Sequence, residues 1–162
     1  MKPLALLASF AATLAAQATL TQKCDDAVVV PGNTLACTLT LAGGNNTVGA
    51  FQFVPVVPLG DTPNVTAAGT ALAAGKSAFC NPTFSQCLIF GLNSATVADG
   101  IVANISYFVP KKHRGTDVFA LTGTLGSTPA GQSVAIAPGA PVSVDVSEHR
   151  RRHLKKKHPG RP

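Results

Sequence analysis

The sequence predicts an all-β protein, an antiparallel jelly-roll β-sandwich of about eight or nine short strands. Several stretches alternate apolar and polar side chains, which is typical of strands that bury one face. Gly and Pro interrupt the chain between these stretches, and no longer stretch keeps the period of ~3.6 residues that a helix requires. The 162 residues are 46% hydrophobic and 12% charged, so the chain can bury one core, built without Trp from aliphatic side chains and Phe.

The clearest strand is the first one predicted, Thr34–Leu41. Its apolar side chains recur at every second position, with Thr on the other side, so one face is predicted to be buried. The inward residues are Leu35, Cys37, Leu39 and Leu41. The Gly-Gly-Asn-Asn sequence at 43–46 then predicts a turn.

Two less regular stretches follow. Val48–Val57 is predicted to be extended, with Phe51 and Phe53 on one face. Its prolines, Pro55 and Pro58, place its end at a sheet edge or a bend, because Pro cannot donate to a strand ladder. Val65–Ala74 is rich in small residues and fits either a strand followed by a loop or a short helix.

The second half of the chain continues the strand pattern. The predicted strands are Cys87–Leu92, Ile101–Val109, Val118–Thr124, Val134–Ala137 and Val142–Val146, separated by a polar loop at Asn93–Gly100 and a basic turn at Pro110–Gly115. In the second of these strands, Ile101, Ala103, Ile105, Tyr107 and Val109 are expected to point inward, and Asn104 and Ser106 outward. Phe119 and Leu121 are expected to share one face of the third.

The N-terminus has the pattern of a secretory signal peptide, residues 1–18. Lys2 precedes the apolar run Leu4–Leu14, and Ala16-Gln17-Ala18 predicts cleavage after Ala18. The run is too short to span a bilayer, and no later segment is apolar enough to do so. Lys23 before Cys24 argues against lipid attachment. The mature domain is therefore predicted to be residues 19–147 and secreted, extracellular or at the cell surface, with the periplasm as a further compartment.

The cysteines are predicted to form disulfides, because export leads to an oxidising compartment. Among three connectivities, Cys24–Cys37 and Cys80–Cys87 are favoured because each closes a short loop. Zinc is the rival, but neither pair has the spacing of a zinc knuckle.

Charge divides the chain into two parts. Residues 19–147 carry five basic and six acidic residues, so this part is not a basic nucleic-acid binder. The segment 148–162 carries seven Lys and Arg against Glu148 and one Leu, so it is predicted to be a disordered tail. Such a tail is either simply solvated or adheres to an anionic wall, membrane or polymer, and it would attract nucleic acid only without sequence selectivity.

Three motifs resemble the cohesin domain family. "CLIFGLNSATVADGIVANISYFVP" (87–110) resembles the family's central signature, an apolar strand, a loop, a D-G turn and an alternating strand. "VPGNTLACTLTL" (30–41) and "VGAFQFVPVV" (48–57) resemble its second and third strands, so the resemblance covers about residues 27–146. The sequence "VPLGDTP" (57–63) departs from the family's aromatic-Asp-Pro step, and the four cysteines are not a family feature.

The resemblance implies a jelly-roll sandwich related to carbohydrate-binding modules, with a role in extracellular assembly. In cohesins the partner is a dockerin module, which docks on one sheet face. No individual contact residue transfers from the family to this chain.

Two binding hypotheses follow for the domain. A protein partner would dock on an outward sheet face of small and polar residues, represented by Thr38, Thr40, Asn104 and Ser106. A polysaccharide would instead stack on an exposed pair, Phe79 and Phe84, in or beside the Cys80–Cys87 loop. With no Trp and one Tyr, Tyr107, which falls on the inward side of its strand, the composition favours protein over sugar.

Catalysis is not predicted. His113 lies in a cationic turn and is expected to be solvated, while Asp61 and Asp99 are the candidates for a hydrolase test. No cofactor or metal is predicted, since Asp25, Asp26 and Asn33 lack the alternating pattern of a calcium loop. Asn-X-Ser/Thr sequons occur at Asn45, Asn64 and Asn104. They matter only in a eukaryotic source, and three matches to so short a motif are unremarkable in a Thr-rich chain.

Overall fold

A computed structural model describes residues 18–58 and 63–148. In this part of the chain there are eleven strands and one helix of five residues. The elements are β1 (Ala18–Cys24), β2 (Val28–Val29), β3 (Thr34–Ala42), β4 (Ala50–Val56), β5 (Pro63–Ala67), α1 (Gly69–Ala73), β6 (Ser77–Cys80), β7 (Cys87–Phe90), β8 (Gly100–Phe108), β9 (Gly115–Ser127), β10 (Ser133–Pro138) and β11 (Val142–Val146). None of the helices in the described ranges is long and apolar enough to cross a membrane.

The strands form a sandwich in which the sheet is nearly closed. Hydrogen-bonded neighbours follow the order β5-β8-β3-β1-β10-β9-β4-β7-β6, and β11 pairs with both β9 and β2. One layer contains β5, β8, β3 and β1, and the other contains β9, β4, β7 and β6. The layers meet in a shared core, where the rings of Tyr107 on β8 and Phe119 on β9 lie 4.6 Å apart, centroid to centroid.

The predicted all-β sandwich is confirmed, with two additions to its topology. Most pairings are antiparallel, but β1–β10 and β2–β11 are parallel. The strands β1, β2 and β6 were not among the predicted ones. β2 and β6 have two and four residues, and β1, of seven residues, has Leu20 as its one large apolar side chain. The alternatives for Val65–Ala74 are both present in part, since β5 ends at Ala67 and α1 follows from Gly69.

The inward faces of β3, β4 and β9 are confirmed. Every predicted core residue of these strands is buried, namely Leu35, Cys37, Leu39, Leu41, Phe51, Phe53, Phe119 and Leu121. Pro55 lies near the end of β4, beyond Phe53, where the pairing with β7 stops and only the pairing with β9 continues. The missing N–H of Pro55 therefore does not interrupt a two-sided ladder.

The prediction for Ile101 is wrong, because β8 contains a β-bulge. Thr40 of β3 pairs with Ile101, but the next residue along, Leu39, pairs with Ala103, which leaves Val102 as the extra residue. An extra residue reverses the alternation of side chains at that point. Ile101 is consequently 45% exposed, whereas Val102 and Ala103 are both buried.

The ends of the predicted domain fall near the limits of the described residues. β1 begins at Ala18, whose side chain is buried and which pairs with Ile136. The signal peptide stays a prediction, since residues 1–17 lie outside the described part, as do 149–162 of the basic tail.

Both predicted disulfides are confirmed. Cys24–Cys37 joins directly opposed residues of β1 and β3, and Cys80–Cys87 joins directly opposed residues of β6 and β7. Each bridge therefore ties one of the short strands that the sequence did not reveal to a more regular neighbour.

One hydrogen bond between two side chains lies inside the core. Tyr107 is fully buried, and its hydroxyl donates a hydrogen bond of 3.2 Å to Oε1 of Gln22, which is also buried. Burial raises the pKa of the Tyr107 hydroxyl above its usual range. The predicted core role of Tyr107 is confirmed, and this bond satisfies the polar end of its ring.

Replacing Tyr107 with Phe is expected to lower the free energy of unfolding by about 1–3 kcal/mol, because the buried Gln22 carbonyl oxygen loses its donor. Urea denaturation of both proteins measures the difference. The double variant Tyr107→Phe/Gln22→Leu should recover part of the loss, since it removes both polar partners. Equal stability of Tyr107→Phe and the parent protein would contradict the role assigned to this bond.

Candidate docking faces of the sandwich

The first candidate site is the outward face of β3, β8 and β5, called the polar face below. Strand register brings Thr38, Asn104 and Thr66 into one row across these strands. Ala36, Ser106 and Asn64 form the next row. The predicted site residues Thr38, Asn104 and Ser106 therefore lie together, and Thr40 continues the same side of β3.

The polar face contains a shallow open groove of about 300 Å³. Its polar lining residues are Asp25, Thr38, Asn64, Thr66, Asn104 and Ser106. The only hydrogen bond of these side chains within the described residues is a long one, from Thr38 Oγ1 to the Lys23 carbonyl at 3.5 Å. Their amide and hydroxyl groups are thus directed to solvent.

The second candidate site lies on the other layer and is called the apolar face. Strand register places Phe79 of β6, Leu88 of β7, Gln52 of β4 and Leu125 of β9 in one row. Phe90 lies two residues along β7 on the same side. Phe79 is 55% exposed, Leu125 44% and Phe90 39%, so three large apolar side chains face solvent on one sheet.

Amide side chains cross the centre of the apolar face. Gln86 Nε2 donates to Gln52 Oε1 at 2.8 Å, and Gln52 Nε2 reaches the carbonyl of Gly123 at 3.4 Å. A small groove of about 150 Å³ runs beside Gln52, between Leu88, Phe90 and Leu125. This side of the sheet is therefore an apolar surface with a fixed polar group in its middle, which is a composition typical of protein interfaces.

The predicted aromatic pair does not form one platform. Phe79 is exposed on the apolar face, but Phe84 lies in the loop between β6 and β7 and packs partly buried against the core. Phe84 has a positive φ of 52°, which is unusual for a bulky residue and orients the loop closed by Cys80–Cys87. Only Phe79 of this pair is available for stacking.

The sequence led us to expect a solvated His113, but in the structure its imidazole is paired with a buried carboxylate. Its Nε2 lies 2.6 Å from Oδ1 of Asp117, a side chain that is only 4% exposed. Asp117 Oδ2 is buried without a partner in the described part of the chain. No hydroxyl or thiol among the described residues hydrogen-bonds to His113, so the pair fastens the turn before β9 to that strand and lacks the nucleophile of a triad.

Asp99 has a structural partner rather than a catalytic one. Its two carboxylate oxygens accept hydrogen bonds from the backbone N–H groups of Gly43 and Gly44 at 2.8 and 2.9 Å. The carboxylate thus holds the turn between β3 and β4. A loss of hydrolytic activity in Asp99→Asn would therefore report a disturbed turn rather than a missing catalytic group. Asp61, the other candidate, lies outside the described residues. Within the described ranges no three His, Cys, Asp or Glu side chains form a group that could hold a metal ion.

Sequence reasoning missed Leu88, Phe90 and Leu125. Every residue of the predicted strand Cys87–Leu92 except Gly91 is apolar, so alternation could not identify an outward side. In the structure Ile89 points into the core while Leu88 and Phe90 point out. Leu125 lies one residue past the predicted end of its strand, which continues to Ser127. Alternation from Phe119 and Leu121 would put Leu125 inward, and the register shift between β4 and β9 reverses it, so the sequence carried no signal for this residue.

Solved structures similar to this chain are cohesin modules. One is the cohesin module of a family 33 glycoside hydrolase from Clostridium perfringens, with 16% identity, a TM-score of 0.66, and 82% of this chain and 98% of that chain covered. Another is a non-cellulosomal cohesin from the archaeon Archaeoglobus fulgidus, with 16% identity, a TM-score of 0.59, and 88% and 100% covered. A third belongs to a type I cohesin–dockerin complex from Clostridium thermocellum, with 12% identity, a TM-score of 0.58, and 80% and 99% covered.

No family model matches the sequence, and no curated protein matches it in a sequence search. At these identities the structural similarity shows the fold, which is cohesin-like, as the sequence motifs predicted.

Proposed function

From this cohesin-like fold we propose an extracellular, non-catalytic docking module that binds a folded protein partner through its apolar face. The observation that carries the proposal is the row of apolar side chains at Phe79, Leu88 and Leu125, together with Phe90. Phe79, Leu125 and Phe90 are exposed, and Leu88 is half-buried. Cohesins of similar fold have been solved in complex with dockerins, which supports a dockerin-like module as the partner.

The apolar face suits a protein interface better than the polar face does. Covering exposed apolar area removes it from water and so favours a complex, whereas hydroxyl and amide groups exchange hydrogen bonds with water for equivalent bonds with a partner. The docking residues first expected, Thr38, Thr40, Asn104 and Ser106, lie on the less favourable layer. The proposal therefore moves the docking site from β3 and β8 to β6, β7, β4 and β9.

A complementary partner would bring an apolar surface of its own, with polar groups where Gln52 and Gln86 lie. The Gln52 amide already has a partner at each end, so its orientation is set before binding. A polar group that matches this orientation would add selectivity, because a mismatched partner would bury it unsatisfied.

Polysaccharide binding is the second candidate, and it rests on two exposed rings of the same face. Phe79 and Phe90 lie on neighbouring strands at 55% and 39% exposure, and ring faces can stack on the apolar faces of sugars. The chain offers no Trp to strengthen such a platform.

An affinity experiment separates the two candidates. The full-length chain serves as bait, and the secreted proteins and the cell-wall polysaccharide of its source serve as separate prey. A stoichiometric protein complex that resists high salt supports docking. Retention on polysaccharide with no protein partner would replace docking by sugar binding, and retention of neither would remove both.

Export and surface adhesion complete the proposal. The predicted signal peptide and the two disulfides support an oxidising, extracellular location. The basic tail would hold the protein near an anionic surface, since each Lys or Arg contributes on the order of 1 kcal/mol close to such a surface.

We expect the basic tail to make retention on the cell envelope dependent on salt. Replacing the cations of 150–152 and 155–157 with Ser should reduce retention at low salt at least about tenfold, because attraction to an anionic surface is lost. Sedimentation with isolated envelopes measures this. Lys111→Ser/Lys112→Ser, which removes exposed cations from the turn before β9, is the matched control and should change little. Unchanged retention after tail substitution would leave the tail as a solvated end.

A further inference from the structure

Two of the three sequons lie side by side on the polar face. Asn64-Val65-Thr66 belongs to β5 and Asn104-Ile105-Ser106 to β8, and the two strands are antiparallel neighbours. Their register sets Asn64 opposite Ser106 and Thr66 opposite Asn104. Because side chains alternate along a strand, the Asn and the hydroxyl residue of each sequon point to the same side. The two sequons therefore form one block of four polar residues.

The core determines that this block faces solvent. The middle residues of the two sequons, Val65 and Ile105, point inward, and Ile105 is 1% exposed. A shift of either strand by one residue would bury its Asn and expose its apolar middle residue. Both Asn side chains are exposed, so their position on the surface follows from the same alternation that builds the core.

Both side-chain amides are also chemically free. Asn64 and Asn104 form no side-chain hydrogen bond within the described residues. By contrast, the Asn81 amide bonds within its own loop, and the Asn93 amide bonds to the segment after α1. The open groove beside them has room for a bulky substituent. No exposed large apolar side chain lies between the two sites, so a hydrophilic chain would cover hydroxyl and amide groups.

We propose that the polar face carries N-linked oligosaccharide, attached through Asn64, Asn104 or both. The Asn amide nitrogen forms a bond to the anomeric carbon of a lipid-diphosphate-linked oligosaccharide. The bond from that carbon to the diphosphate breaks, the lipid diphosphate leaves with the bonding electrons, and the amide nitrogen loses one proton. The inference rests on the proposed export and on a source that makes this donor, because the transfer takes place on chains that cross the membrane.

The modification would shield the block of four polar residues on β5 and β8, and the outward side of β8 exposes Ile101 and Phe108 at the two ends of this block. Oligosaccharide on β5 and β8 covers the polar face and leaves the apolar face as the surface open to a protein partner. β5 is also the last strand in the order of the sheet, and bulky hydrophilic groups beside such an edge hinder pairing with another chain.

Mass spectrometry of the chain secreted by its source tests the proposal. Peptide N-glycosidase in ¹⁸O-labelled water converts each glycosylated Asn to labelled Asp. Labelled Asp at 64, 104 or both supports the proposal. Unmodified Asn at both positions overturns it, as does labelling confined to Asn45, whose sequon lies in the turn after β3.

Substitution of the hydroxyl residue identifies each site. Thr66→Ala should abolish labelling at Asn64, and Ser106→Ala should abolish labelling at Asn104, while both Asn side chains stay in place. Thr38→Ala removes a hydroxyl from the same face without touching a sequon and should change neither. Loss of labelling in Thr38→Ala to the same extent would show a folding or export effect and overturn the assignment. Partner binding is measured separately, so a failure here leaves the docking proposal intact.

Discussion

Replacing Leu125 with Asp is expected to weaken binding of the protein partner by about 30-fold or more, because losing a large apolar contact of the interface is expected to cost at least about 2 kcal/mol. The introduced carboxylate would also have to be buried against an apolar surface of the partner. Calorimetry or surface-immobilised binding with the captured partner measures the dissociation constant. Phe79→Ala, at the other end of the same row, should weaken binding in the same direction.

Ile101→Asp is the matched control for Leu125→Asp. Both residues are large, apolar and similarly exposed, at 45% and 44%, but Ile101 lies at the bulge of β8 beside α1 rather than on the apolar face. It should bind the partner normally. If Leu125→Asp bound normally while Thr38→Asp or Asn104→Asp lost binding, the docking site would lie on the polar face, as the sequence first suggested.

Removing His113 is expected to lower the stability far more than is usual for a partly exposed side chain. His113→Ala leaves the buried Asp117 carboxylate without a partner for either oxygen in the described part of the chain. Breaking a buried pair by removing one partner typically costs about 3–5 kcal/mol, and the partial exposure of His113 places the expected loss near the lower value. The midpoint and slope of urea denaturation measure it.

Two further variants separate the pair from the turn. Lys112→Ala, in the same turn, should lie within about 0.5 kcal/mol of the parent protein, as is usual for a solvent-exposed side chain. His113→Ala/Asp117→Val should regain much of the loss, because it also removes the buried carboxylate. A loss in His113→Ala no larger than that in Lys112→Ala would mean that solvent replaces the imidazole at no cost.

The sequence predicted most of the fold through local patterns. Alternation along Thr34–Leu41 identified the inner side of β3, because the direction of a side chain in a strand depends only on its position relative to its neighbours. The disulfide pairs also followed from short separations along the chain. Ile101 was misplaced because the bulge at Val102 arises from pairing with β3, which alternation within one strand does not reveal.

Only part of the candidate site could be predicted from the sequence. Phe79 was singled out, but for a platform with Phe84 that the loop between β6 and β7 separates. Leu88 and Leu125 lie on strands whose outward sides cannot be identified from the sequence. They become clear only when the pairing of each strand and its layer in the sandwich are known. The pair of His113 and Asp117 was likewise missed. The turn before β9 places the His113 imidazole against the Asp117 carboxylate, and the burial of Asp117 is not evident from the sequence.

The sequence by itself determined where the regular strands lie, which side of most of them is apolar, and which cysteines pair, since these depend on neighbours a few residues away. Only the tertiary structure decided which outward sides share a face. Register between distant strands placed Phe79, Leu88 and Leu125 in one row and set the two sequons opposite each other on the other layer. Sheet order and register depend on contacts far apart in the chain, and a local period of two residues does not contain them.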